Sequence, residues 1–189
     1  MVVSFTSIPK QKNETWTDAE LQTANTGKNI SYFNDVEKET LKYINLARLY
    51  PKKFGQLEIK DYTGTSYYVN YVKDSPFKQT LLSTLSTMNP VPALVPDLAM
   101  TEIADCFSAE QGKNGTRGHD RKKCPKGYAA ECIAYGMDTG RDAAIELLID
   151  HRIASLGHRK TCLEKKHKVV GISFGTHKED RYLTVLDFH

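Results

Sequence analysis

Two runs near the C-terminal end constrain the fold most: 168–175 (KVVGISFG) and 181–188 (RYLTVLDF), separated by the polar stretch HKED. Both are dense in valine, isoleucine, leucine, tyrosine and phenylalanine. These residue types suit a half-buried pleated surface, and HKED reads as the turn between two antiparallel strands.

The rest of the chain supplies mainly helices. Residues 1–33 are polar and aperiodic and read as an extension that lies over the domain or is partly disordered, with the domain proper at 34–189. A helix over 35–50 opens where Asn34 or Asp35 can cap it. Glu37 and Glu39 suit its N-terminus, and Val36, Leu41, Ile44, Ala47 and Arg48 recur at helical spacing until Pro51 stops the run. A long connection over 51–75 crowds Tyr62, Tyr67, Tyr68 and Tyr71 together. This tyrosine-rich loop, 62–71, reads as a loop or short hairpin packed against the body. The helix over 76–88 carries Leu81, Leu82, Leu85 and Met88 on one face, before Pro90, Pro92 and Pro96 break the chain. Asp97 caps a helix over 97–112 with Leu98, Ile103, Ala104 and Phe107 inward. Gly112, Gly115 and Gly118 then mark a loop through His119 and the basic residues Arg121, Lys122, Lys123 and Lys126. A strand over 128–135 surrounds Glu131 and ends at Gly136. The last helix, 140–154, buries Ala143, Ala144, Ile145, Leu147 and Leu148. Helices, a strand, a helix and a terminal hairpin predict an α+β fold, with a small, mostly antiparallel sheet packed between helices.

The chain has 189 residues, the length of one domain with a real core. Its formal charge of +3 is too weak to imply nucleic acid, and the basic clusters RKKCPK and EKKHK lack interleaved aromatics and read as solvated surface. No run of about 18 apolar residues marks a membrane span. The first residues lack the pattern of a signal peptide, which is compatible with a start after a removed leader and leaves room for a lipid anchor upstream. The four cysteines, Cys106, Cys124, Cys132 and Cys162, all fall in the second half and form no C-x-x-C. They allow three pairings, and their even count in one subregion favours two disulfides and an oxidising compartment.

Chemistry is concentrated in two places. The stretch 150–163, DHRIASLGHRKTCL, follows an apolar helix and presents Asp150, His151 and His158. Upstream, His119 sits in RGHD and Glu131 in YAAECIAYG. Histidine and carboxylate on separate elements suit either a divalent cation or proton transfer near neutral pH. There is no H-E-x-x-H helix, no G-x-S-x-G elbow, no phosphate-binding loop and no G-x-G-x-x-G.

Taken in order, LARLYP at 46–51, LVPDLAMTEIADCFSAEQG at 94–112, GH at 118–119, AECIAYG at 130–136, SLGHRKTCL at 155–163, VGISFG at 170–175 and the closing YLTVLDF resemble the CAP superfamily. This superfamily comprises the cysteine-rich secretory proteins, antigen 5 and the pathogenesis-related 1 proteins. The likeness is greatest to the bacterial SCP-domain branch, where the usual patterns are GENIAYG and S-x-GHR-x-NIL, and it covers about residues 35–188. The resemblance implies an α-β-α sandwich with a cleft holding two histidines and two acids. His119 matches the first histidine, Glu131 the glutamate of GENI and His158 the histidine of GHR. Asp150 is the candidate for the second acid. In some members the two histidines hold zinc or another divalent ion. Where the family's ENI has asparagine this chain has Cys132, and where NIL has isoleucine it has Cys162. The resemblance therefore implies a Cys132–Cys162 bridge, leaving Cys106 to pair with Cys124.

Two functions follow as expectations. The first is a secreted or cell-envelope binding module whose cleft is able to hold a divalent metal, zinc first, with a small molecule, lipid, glycan or protein as ligand. The second is a metal-dependent hydrolase, a peptidase or esterase, in which Glu131 is the general base and His119 and His158 hold the metal.

Overall fold

The computed structural model describes residues 14–189. The described residues form an α+β fold with four strands and, in chain order, helices α1 (Asp18–Ala24), α2 (Asp35–Leu49), α3 (Pro51–Phe54), α4 (Pro76–Thr87), α5 (Leu98–Asn114), α6 (Gly140–Ile149) and α7 (Gly157–Leu163). The strands are β1 (Val95–Pro96), β2 (Ala130–Tyr135), β3 (Val169–His177) and β4 (Arg181–Phe188), in the sheet order β1-β3-β4-β2. β3 and β4 form the expected hairpin, β2 pairs antiparallel with β4, and β1 pairs parallel with β3.

The sheet lies between two helical layers. On one face α5 packs across β3 and β4, over a small core of Ala104, Phe107, Ile133, Leu183 and Val185. On the other face α2, α6 and α7 close the main core, which includes Leu41, Ile44, Cys132, Ala144, Leu148, Ile172, Leu186 and Phe188. The close approach of α5 to β3 depends on Gly171, where an added Cβ would lie 2.0 Å from the Met100 carbonyl carbon.

Local chemistry explains where the helices begin. Asn34 caps α2 in a reciprocal box with Glu37: the Glu37 N–H donates to Asn34 Oδ1 at 3.0 Å and the Asn34 N–H donates to Glu37 Oε2 at 2.7 Å. The remaining oxygen of Glu37 accepts from the Phe174 N–H at 2.8 Å, tying α2 to β3. Asp97 caps α5 and Thr139 caps α6.

The structure departs from the sequence reading at several points. Helix α1 lies inside the stretch read as aperiodic. It is capped by Thr17 and Glu20, and Ala24 joins the core. The part of that extension before residue 14 lies outside the described residues. Pro51 does not stop helical structure but starts α3, where its missing N–H is no loss, and a π-helical turn at Gly55–Ile59 continues it. The tyrosine-rich segment is a loop with no strand. Strand β1 is only two residues long and carries a proline, so no pattern could announce it. Helix α6 ends at Ile149 rather than 154, because Asp150 turns left-handed with φ +56°. The GHR stretch, to which no helix was assigned, is the first turn of α7.

Candidate functional site

Two buried arginines set the frame around α7. The Arg48 side chain is fully buried and donates to the carbonyls of Pro92, Cys162, Glu164 and His167, joining α2 to the end of α7. Arg159 donates to the Leu148 and Ile149 carbonyls at 2.7 and 2.8 Å, two of the carbonyls left open at the end of α6. It also reaches Phe77 O and Thr80 Oγ1 on α4. Helix α7 therefore has a fixed position relative to α6 and α4.

His158 is held within this frame by Asp150. One oxygen of the buried Asp150 carboxylate accepts the His158 and Arg159 N–H groups at 2.9 and 3.3 Å, which are orphan donors of the first turn of α7. The other oxygen accepts from His158 Nδ1 at 2.8 Å. His119, in the loop after α5, is held in the same way. Its Nδ1 donates to Glu131 Oε1 at 2.7 Å, and the Glu131 side chain is only 2% exposed. A carboxylate offers only acceptors, so each Nδ1 carries the hydrogen and each Nε2 is the nitrogen that presents a lone pair when the ring is neutral. Neither Nε2 has a partner among the described residues. The bond to Glu131 raises the His119 pKa above the ordinary histidine value, against the opposing effect of burial. His177 is the contrasting case: Nδ1 accepts the Asp180 N–H and Nε2 donates to Thr116 O, so both its nitrogens serve structure.

His119, Asp150, His151 and His158 line one cleft of about 660 Å³, together with Ile133, Ala134 and Tyr135 of β2, Glu146 of α6, and Tyr68 and Tyr71 from the tyrosine-rich loop. Glu131 lies behind His119 and supports it. Three of the loop's four tyrosines have identifiable jobs. The Tyr62 hydroxyl donates to Asp142 at 2.8 Å, and the Tyr71 hydroxyl donates to Glu146. Tyr68 fills the space beside Gly136, where a Cβ would meet its hydroxyl at 2.8 Å and the backbone has φ +78°. His151 turns its Nδ1 to Ser75 Oγ at 2.8 Å.

Three site features were missed by the sequence reading. The first overturns an expectation: Arg121, read as solvated surface, has a fully buried side chain. It bonds Glu131 and, at 2.9 Å, Asp187, with its guanidinium 4.2 Å from the Phe107 ring centroid and 4.5 Å from that of Tyr128. The second is Asp187, whose carboxyl is pushed up to about 7 by burial, with Arg121 pulling the other way and Glu131 adding to the rise. An acid in the otherwise apolar run RYLTVLDF was a visible signal. The third is Glu146, lifted above the ordinary carboxylate range by burial. It lies four residues before Asp150, whose charge adds to the rise.

The cysteine expectation is half overturned. Cys106 and Cys124 form a disulfide that staples the loop carrying His119 to α5. Cys132 and Cys162 are free thiols, both buried. The Cys132 thiol points to the His158 carbonyl at 3.8 Å, and its pKa is raised by burial and by the neighbouring Cys162 thiol.

The donors fit a divalent cation in kind. A histidine whose second nitrogen is held by a carboxylate is the usual supporting arrangement for a zinc ligand. They do not form a complete cage, since among the described residues no group of three or more histidine, cysteine or acidic side chains is arranged to hold a metal. No described helix is long and apolar enough to cross a membrane. No known family model matches the chain, and neither does any curated protein.

Proposed function

We propose that this chain is a binding module of the CAP type, secreted or held at the cell envelope, whose cleft takes a divalent cation, zinc first, on His119 and His158. The single observation that carries the reading is the paired arrangement at the cleft. Two histidines from different elements line it, each with Nδ1 tied to a buried carboxylate and Nε2 left without a protein partner. The order of motifs, the helix–sheet–helix layering and the Cys106–Cys124 disulfide support the same reading. A disulfide in a domain of this size favours an oxidising compartment. With two protein ligands at most, a bound cation would keep open positions and supply a Lewis-acidic anchor for an oxygen or nitrogen of the ligand.

The hydrolase reading has weaker support. Glu131 was its general base, yet one of its oxygens accepts from His119 and the other from Arg121, and the side chain is almost completely buried. A base must reach the proton it removes, directly or through one water. The test is a panel of peptide, ester and lipid substrates, with zinc present, on the intact chain and on the His119→Ala and Glu131→Ala variants. Inactivity across the panel with saturable binding of one class is expected. Turnover that both substitutions abolish would replace the binding reading with the enzymatic one.

A further inference from the structure

Of the three acids that line the cleft, Glu146 is the one that no arginine, lysine or histidine bonds among the described residues. Asp180 is engaged by Arg117, and Asp150 gives its oxygens to His158 and the first turn of α7. The Tyr71 hydroxyl donates to one oxygen of Glu146, and the other oxygen has no protein partner among the described residues. A hydroxyl is a neutral donor and offsets little of a carboxylate's charge. Two charges act on Glu146 from nearby: Asp150, which opposes its ionisation, and His158, whose ring is already tied to Asp150. Burial lifts the Glu146 pKa above the ordinary carboxylate range. A desolvated acid in a cleft, with no protein counter-charge bonded to it, marks a place where a ligand supplies the missing cation.

The neighbours of this acid are aromatic. The Tyr68 and Tyr71 ring centroids lie 6.3 Å apart with their planes at 66°, and Tyr71 meets the His151 ring at 5.8 Å and 87°. All three rings line the cleft with Glu146, and Met137 and Leu147 add apolar surface. A tyrosine ring carries a negative face that attracts an ammonium ion, most strongly where water is displaced. Ring and carboxylate therefore favour the same ligand charge. The corner is also built before any ligand arrives, since Tyr68 fills the space beside Gly136 and Tyr71 is bonded to Glu146.

We propose that the cleft takes an alkylammonium group, seated at the Tyr68–Tyr71 corner with its charge against Glu146. The proposal rests on the reading of the cleft as a binding site and names the class of its ligand. The arginines of the cleft do not oppose it. Arg117 is paired with Asp180, and Arg152 is exposed, where water and salt screen its charge. An anionic ligand group placed here would add like charge to an acid already short of a partner. An acyl chain would cover the open Glu146 oxygen without offering it a donor.

The experiment titrates the full chain with two cation–neutral pairs of matched shape, followed by NMR of the Glu146 carboxyl carbon and the tyrosine rings. One pair is choline and its carbon analogue, with a tert-butyl group in place of trimethylammonium. The other is butylammonium and butanol. In at least one pair the cation should bind saturably and about tenfold or more tightly than its neutral partner, with the Glu146, Tyr68 and Tyr71 signals moving together. The pair that responds tells a quaternary from a primary ammonium ligand, and either supports the proposal. Glu146→Gln should abolish the preference for the cation, whereas Tyr71→Phe, which keeps the ring, should retain it. Neutral partners that bind as well as both cations, cations that leave the Glu146 signal unmoved, or a preference that survives Glu146→Gln would each overturn the proposal. The comparison of charged and neutral ligands on the unsubstituted chain decides the matter even if a variant fails to fold. Zinc binding at the histidines with no ammonium binding would leave the binding-module reading standing and remove this inference alone.

Discussion

Glu131 on β2 and Asp187 on β4 stand directly opposite each other in the sheet, two buried carboxylates in register. Like charges placed this way repel, and only Arg121 lies between them. Its guanidinium bonds both acids, and Glu131 in turn fixes His119. The geometry of one cleft histidine thus depends on an arginine the cleft never exposes.

Arg121→Met should therefore destabilise the chain by about 3–5 kcal/mol, the usual cost of stranding buried charge when one partner is removed. Urea unfolding monitored by circular dichroism measures this. Lysine at this position should rescue only in part, because a single ammonium cannot reproduce the planar fork between two acids and two rings.

The pH dependence of stability has a defined sign at Asp187. Its carboxyl is raised from an ordinary value of 3.8 to about 7 by burial. The folded state therefore holds this proton more tightly than the unfolded state, so the contribution is fully present below the unfolded value and is lost as pH rises toward 7. Asp187→Asn is pH-independent at this site. Its stability relative to the unsubstituted chain should thus improve steadily between about pH 4 and pH 7, where the two values bound the window. Unfolding of both proteins at several pH values reads the difference directly, and a constant difference would contradict the assignment.

Thiol chemistry separates the two cysteine pairs. The denatured, unreduced protein should release two reactive thiols, from Cys132 and Cys162, and two more only after reduction. The Cys106–Cys124 bridge closes a short loop, and its reduction should cost about 3 kcal/mol by loop-closure entropy. Buried thiols with raised pKa values react slowly, so labelling of Cys132 in the native state should be far slower than after unfolding.

Much of the fold was legible from local pattern. The β3–β4 hairpin announced itself by composition and turn chemistry, and α2 and α5 by their caps and spacing. The site residues His119, Glu131, Asp150 and His158 were also legible as a set, and the structure puts them in two bonded pairs. What escaped is what tertiary contact decides. Arg121 sits in RKKCPK, whose composition looks solvated, and only the aromatic rings of Phe107 and Tyr128 and two distant acids make its burial tolerable. Cys132 and Cys162 invited a bridge by their positions beside the cleft, yet their helix and strand pack without one. Asp150 lines the cleft as it was read to do, and what escaped is that its oxygens also hold the first turn of α7 and orient the His158 ring.

The most direct measurement is a zinc titration of the full chain followed by NMR of the imidazole nitrogens. His119 and His158 should shift together, through Nε2, and saturate at one ion per chain. Removing either histidine should abolish saturation, and Asp150→Asn should weaken it about 10–100-fold by loosening the second ring. Zinc that leaves both rings unchanged while shifting His167 or His189, or that binds equally well to the His119→Ala and His158→Ala variants, would contradict a metal-holding cleft.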